Sequence, residues 1–316
     1  MRPEISVVIP LYNKKSYIVD CLNSVLQQHT LPKSIIVIDD GSTDESGDAV
    51  LKVHHPLIQL VRQKNLGVSC ARNLGVTLAA TPYIAFLDAD DYWEDNHLCV
   101  LSEVIQKNPG KGLYSTLHKI NLNGVLSSPM SPYPIGFIGA VDDFYFRFSC
   151  GLSLVNSSSA CVEKEKFFLM GGFPIGVKRG EDIIVWCKLA SNFGMGHASI
   201  PTAVYNRAVS DSASCGNDDS IPPALSFLKE EISKAKYEEK RSILSLYKKI
   251  SFYTAAGFRE RGNIVGVKKI LLLSFELNQI RLSALLCILF FTPSIILSWL
   301  RKIRYSVYRV GCSVSN

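Results

Sequence analysis

A chain of 316 residues with 47% apolar and 20% charged residues has room for one large α/β domain and an appendage, which excludes a disordered or fibrous protein. The net charge of +6 is modest and no nucleic-acid module signature occurs, so no nucleic-acid partner is expected. Nine scattered cysteines without a Cys-x-x-Cys pair read as reduced thiols of a cytosolic face, and Pro10 interrupts the first apolar run before it could serve as a secretory core.

In chain order, Ile5 to Pro10 is a β-branched strand, followed from Ser16 by a helix with apolar Ile18, Val19, Leu22, Val25 and Leu26. Ser34 to Asp40 repeats the strand pattern, and Gly41-Ser42-Thr43-Asp44 supplies a turn and cap before a helix near Glu45 to Val53. A third strand, Leu57 to Arg62, precedes a helix from Val68 to Ala79. Such alternation implies right-handed crossovers and a largely parallel sheet.

The next strand, from Tyr83 to Leu87, runs straight into Asp88-Ala89-Asp90-Asp91. Carboxyl ends of strands are where open α/β sheets place ligands. If the chain stays extended, Asp88 and Asp90 project in similar directions and can share work between a ligand and a divalent cation, for which Mg2+ or Mn2+ suits an all-oxygen setting. The same acids also suit the start of a helix near Asp95-Asn96.

Beyond Trp93 the pattern becomes mixed: a helix from Asp95 to Lys107, short strands around Asn123-Gly124 and Ser131 to Pro134, a strand over Ser157 to Val162, a short helix from Lys164 to Met170, a turn at 171–174, and a helix from Asp182 to Phe193. Helix-forming sequence covers Leu225 to Ala256 and Val265 to Leu277, with Gly257 to Gly262 as the break. Residues 282–300 carry no charge, but Pro293 interrupts them, which favours a re-entrant or interfacial helix pair at a membrane over a spanning helix; a buried helix capping the domain is the other reading. The basic tail at 301–309 fits an anionic membrane surface.

Five segments in order, Val8 to Asn13, Asp39 to Asp44, Asn65 to Gly75, Phe86 to Asp91 and Gly180 to Trp186, give the chain a resemblance to family 2 glycosyltransferases over about residues 5–214. The resemblance implies an α/β, Rossmann-like GT-A fold with a mixed, mainly parallel central sheet flanked by helices. It divides residues 1–218 into a nucleotide-sugar half (1–93) and an acceptor half (94–218), leaving 219–316 as a helical, membrane-associated appendage.

It also implies a nucleotide-sugar donor, foremost a UDP-sugar, a divalent metal, and inversion at the anomeric carbon. A sugar leaving a diphosphate needs charge neutralised at the phosphates and a base on the opposite face. Asp90 is then the expected metal ligand, with Asp88 sharing the metal or reaching the ribose and Asp91 orienting its neighbours. Asp40 is placed against the nucleobase, although its segment is also good turn chemistry. Pro10 and Tyr12 line the first turn, where Tyr12 is either a stacking face for the base or a simple turn aromatic. Arg72 is expected to hold the nucleotide or its diphosphate.

Asp182 is the expected catalytic base with Glu181 as the alternative; both also favour a helix N-terminus. Trp186 reads as core more than sugar platform, and Asn73 and Gly75 as packing residues. Many relatives carry a histidine after the strand that ends near Ser210; here Arg207 or Ser214 would take over phosphate contact. His197 is read as a strand residue and the other histidines as surface residues. The expected acceptor is a lipid-linked or other saccharide at the cytoplasmic, inner face of the cell membrane. Transfer to a polyprenyl phosphate, with Lys178-Arg179 beside Glu181, and a catalytically inactive nucleotide-sugar-binding protein are the alternatives.

Overall fold

The computed structural model describes residues 2–151, 154–207, 220–277 and 279–291. The chain forms two compact units, residues 1–212 and 213–316.

In the first unit, strands β1 (Ile5–Leu11), β2 (Ser34–Asp39), β3 (Ile58–Arg62) and β4 (Tyr83–Phe86) lie side by side in the order β3-β2-β1-β4, all parallel. Every residue of β1 is buried, as expected of a strand covered on both faces. Alternate side chains explain how: Val7, Ile9 and Leu11 join Ile18, Cys21, Leu22 and Val25 of helix α1 (Ile18–Leu26) in one core. On the opposite face, helix α3 (Val68–Leu78) brings Gly75 so close to Val8 that a Cβ there would overlap the valine side chain. The short helix α2 (Ser46–Leu51) completes the parallel half.

The other half is mixed. The two-residue strand β5 (Tyr92–Trp93) and helix α4 (His97–Lys107) lead to β6 (Leu113–Leu122), which turns through Asn123 and Gly124, both at positive φ, into β7 (Val125–Ser127). After β8 (Ile138–Ala140) and α5 (Phe144–Ser149), β9 (Ala160–Glu163) inserts antiparallel between β4 and β6. Helices α6 (Lys164–Leu169) and α7 (Glu181–Phe193) precede β10 (Met195–Asn206), which runs parallel to β6 and antiparallel to β5 and β8. The mixed sheet with flanking helices is the one expected, built from a parallel half joined to a mixed one.

Three local expectations need correction. Ser157–Ser159 is a 3-10 turn instead of the start of a strand, because the Asn156 amide donates to Ser159 Oγ and closes the turn. His97 and His118 are buried, not on the surface. The helix expected over Leu225 to Ala256 is two helices in the second unit, α8 (Pro223–Lys234) and α9 (Tyr237–Glu260), divided where Ala235 turns extended. This break lets the apolar faces of α8 and α9 pack on each other, whereas Gly257 is carried inside α9 beside buried Phe258.

The following break is set at Gly262 (φ 78°) and by Asn263, whose side chain accepts from the Gly266 amide at 2.7 Å to cap α10 (Ile264–Glu276). Helix α11 (Ile280–Phe291) ends the described chain, so the remainder of the apolar 282–300 segment and the basic tail lie outside the described residues. Among the described residues no helix is long and apolar enough to cross a membrane.

Candidate active site

The site is built on loops at the carboxyl ends of β1, β2 and β4 and at the start of α7. Its central joint is Arg72, in the second turn of α3 and only 3% exposed. Its guanidinium donates to Asp88 Oδ1 at 2.7 Å and to Glu181 Oε1 at 2.9 Å, and it lies 5.1 Å from the centre of the Phe173 ring. One arginine therefore joins the acids after β4 to the acids of α7, which stand 93 positions apart in sequence (Asp88 to Glu181).

The floor under this joint is aromatic. Phe86, Phe173 and Trp186 pack with ring centres 5.3–6.2 Å apart, and Trp186 is fully buried, so it is core and not a sugar platform. Asn73 fixes the 171–173 turn by exchanging hydrogen bonds with Phe173, amide to carbonyl at 2.8 Å and carbonyl from N–H at 2.9 Å.

The three acids after β4 have distinct surroundings. Asp88 is the most open of them, with its side chain 30% exposed. Asp90 meets the Lys14 ammonium at 3.1 Å; burial and the nearby Asp88 charge raise its carboxyl above the usual range despite that lysine. Asp91 is buried and accepts from Ser158 Oγ at 2.5 Å and from the Asn206 amide at 2.8 Å. Burial foremost, then Asp88 and Asp90, push its carboxyl well up. The Asn206 side chain also donates to the Asp90 carbonyl at 2.6 Å. Asp91 thus holds the end of β10 and the 157–159 turn against the loop that presents Asp88 and Asp90.

Glu181 and Asp182 open α7 after Gly180, which sits at φ 76°. Burial foremost, and then the Asp182 charge, push Glu181 up to about 7, against the pull of Arg72. Asp182 is half-buried; burial raises its carboxyl as well, with Arg72 opposing. Folded Glu181 keeps a proton that the unfolded chain, titrating near 4.5, gives up, so this group costs stability as pH rises from about 4.5 to about 7. Urea unfolding across that window is expected to show a shallower pH slope for Glu181→Gln than for the wild type, and equal slopes would refute the assignment.

Asp40 is buried, and its carboxylate accepts from Gln63 Nε2 (2.6 Å) and the amides of Leu66 (2.8 Å) and Gly67 (2.8 Å). The structure thus places it as the anchor of the loop entering α3; all of these donors come from the protein itself. Pro10 is buried in β1, while Tyr12 is 46% exposed just beyond it.

Sequence reasoning missed Lys14, Ser158 and Asn206, each of which touches an acid of the site. A lysine or serine in a loop carries no positional signal, and these contacts span up to 115 positions. Ser214 lies outside the described residues. The buried histidines serve structure: His97 stacks on Trp93 with ring centres 4.1 Å apart and meets Thr202 Oγ1 at 2.8 Å, and burial lowers it to about 3.

Among the described residues no three His, Cys, Asp or Glu side chains converge as a ready-made metal cage. Asp88 and Asp90 are oxygen donors of the kind a hard cation such as Mg2+ or Mn2+ takes, which commonly uses one or two carboxylates with substrate phosphates and water, and here they pair with Arg72 and Lys14. Beside Asp90 a cavity of about 320 Å3 opens, lined also by Tyr17, Asp20, Tyr92 and Asn121.

A parallel nucleotide-type half, acids at the β4 end and a second acidic pair on a helix of the mixed half define a domain of the GT-A type. Residues 6–160 match the family model Glycosyl transferase family 2, and the chain carries a family 2 glycosyltransferase domain. An uncharacterized glycosyltransferase of Rickettsia conorii is 31% identical over 195 residues, which are 61% of this chain and 31% of that protein. A chondroitin synthase of Escherichia coli is 34% identical over 137 residues, 42% of this chain and 20% of that one. The chain therefore matches about a third or less of the length of these relatives. Among solved structures, S. aureus TarS 1–349 in complex with UDP-GlcNAc shares the fold, with a TM-score of 0.69 at 20% identity over 85% of this chain and 80% of that one.

Proposed function

We propose that this chain is an inverting, metal-dependent glycosyltransferase that moves a sugar from a nucleoside-diphosphate sugar, a UDP-sugar by preference, to a lipid-linked saccharide during synthesis of a cell-surface polysaccharide. The observation that carries the reading is the Arg72 bridge from Asp88 to Glu181, which ties the acidic segment after β4 to the acidic pair that opens α7. The donor class is supported by the solved likeness to a protein crystallised with UDP-GlcNAc and with UDP, and the product class by relatives named chondroitin and hyaluronan synthase.

Asp182 acts as the base. Its carboxylate takes the proton of the acceptor hydroxyl as that oxygen bonds to the anomeric carbon, and the electron pair of the breaking carbon–oxygen bond leaves with the diphosphate. Glu181 is less suited, because Arg72 occupies its carboxylate and its side chain is only 10% exposed. Asp88 and Asp90 would hold the divalent cation, which supplies charge neutralisation at the leaving diphosphate. Tyr12 offers its ring to the base, and Asp40 holds the loop into α3 that borders the donor.

The acceptor assignment rests on the second unit. Val265, Leu272 and Phe275 of α10 and Ile280, Leu285, Ile288 and Phe291 of α11 are exposed, with Lys268 and Lys269 exposed beside them. Apolar rows with adjacent lysines suit a helix pair lying in the headgroup region on the inner face of a membrane.

The test is release of nucleoside diphosphate from a panel of nucleotide sugars with Mn2+ and a membrane lipid extract. Release that needs one donor, metal and lipid is expected, and Asp90→Asn is expected to lose about 10²-fold or more of the metal-dependent rate. An Asp90→Asn protein with full activity would remove Asp90 as metal ligand, and donor binding without turnover under any condition would leave a binding protein.

A further inference from the structure

Lys14 is held in a way that the proposed chemistry does not by itself require. The loop carrying it is fastened to the 42–46 loop at consecutive positions: the Asn13 amide donates to Ser42 Oγ (3.1 Å), Asn13 Oδ1 accepts from the Thr43 amide (2.8 Å), the Lys14 amide donates to Ser46 Oγ (2.8 Å) and the Lys15 amide to Asp44 Oδ2 (3.0 Å). Asn13 turns the chain at φ 51°. With the backbone so fixed, the Lys14 side chain reaches Asp90 Oδ2 at 3.1 Å, with the two side chains only 12% and 15% exposed.

An ammonium and a divalent cation repel each other strongly at such range and compete for the same carboxylate lone pairs. Asp88, which meets Arg72, leaves Asp90 as the carboxylate with the lysine cation on it. We propose that Lys14 is the resident counter-ion of Asp90, standing in the place of the divalent cation until the donor arrives, and that its ammonium then passes to the donor's diphosphate. The inference rests on the metal reading of the proposed function. Its consequence is obligatory coupling: metal and nucleotide each bind weakly alone and tightly together, with the same factor in both directions.

The test is Mn2+ binding to the full chain, followed by electron paramagnetic resonance with and without UDP, for the wild type, Lys14→Met and Lys14→Arg. The wild type is expected to bind Mn2+ feebly alone and about tenfold or more tighter with UDP, within the usual range of coupling. Lys14→Met, which keeps the stem and drops the charge, is expected to bind Mn2+ alone about tenfold tighter than the wild type and to gain much less from UDP. Lys14→Arg should follow the wild type, and circular dichroism with urea unfolding confirms that each variant is folded.

If Lys14→Met binds Mn2+ alone no better than the wild type, or Lys14→Arg behaves like Lys14→Met, the counter-ion role is overturned while the metal reading stands. If no variant binds Mn2+ even with UDP, the metal reading itself fails and takes this inference with it.

Discussion

Asp182→Asn is expected to lower sugar transfer by about 10²–10⁴-fold while leaving the dissociation constant for the nucleotide sugar within about twofold of the wild type. The amide preserves shape and the contact at the start of α7, where Asp182 Oδ1 accepts from the Ile183 amide, but it cannot take a proton from an acceptor hydroxyl. Single-turnover rates beside donor binding by calorimetry separate the two quantities. Glu181→Gln serves as the counter-experiment: because Glu181 faces Arg72, its loss should show in stability and donor positioning more than in the chemical step. A full rate for Asp182→Asn together with a collapsed rate for Glu181→Gln would exchange the roles of the neighbours.

Arg72→Met is expected to be the most damaging substitution for the fold of the site. The guanidinium is buried and carries two carboxylate contacts, and removing one member of a buried ion-pair set typically costs about 3–5 kcal/mol. The lower end applies here, because Asp88 is partly open and burial pushes the Glu181 carboxyl up to about 7, which weakens its charge near neutral pH. Urea unfolding measures this loss. Arg72→Lys should recover little, since one compact ammonium cannot span two carboxylates as the planar fork does. Loss below about 1 kcal/mol for Arg72→Met would mean that the bridge is not what holds the two acidic segments together.

The parallel half was legible because its signals are local. Strands such as Ile5–Leu11 are short apolar runs ending in turn residues, and α1 and α3 show apolar faces at helical spacing. The candidate acids stand out in the sequence because Asp88 and Asp90 follow an apolar strand and Glu181 and Asp182 open a helix, and in the fold Arg72 joins the two segments through Asp88 and Glu181. What the sequence could not show is which base meets which acid. Arg72 reads as a ligand for phosphate, yet in the fold it is held by two carboxylates of the protein. Asp40 reads as a contact for a base, yet its oxygens take protein amides. The helical break at Ala235 left no glycine or proline to mark it; tertiary packing of α8 on α9 decided it.

Asp91 carries one more implication. A single buried carboxyl clasps Ser158 and Asn206, and Asn73 clasps Phe173, so the parallel half and the mixed half are sewn together at a few named stitches. Anyone building a chimera that swaps the loops of the mixed half of one such domain into another should transplant those partners as matched sets. A graft that brings a foreign β10 end without an asparagine at 206 would keep the backbone N–H to Asp91 but lose the side-chain donor to the Asp90 carbonyl, and the exchanged loops would arrive on a floor that no longer holds its shape.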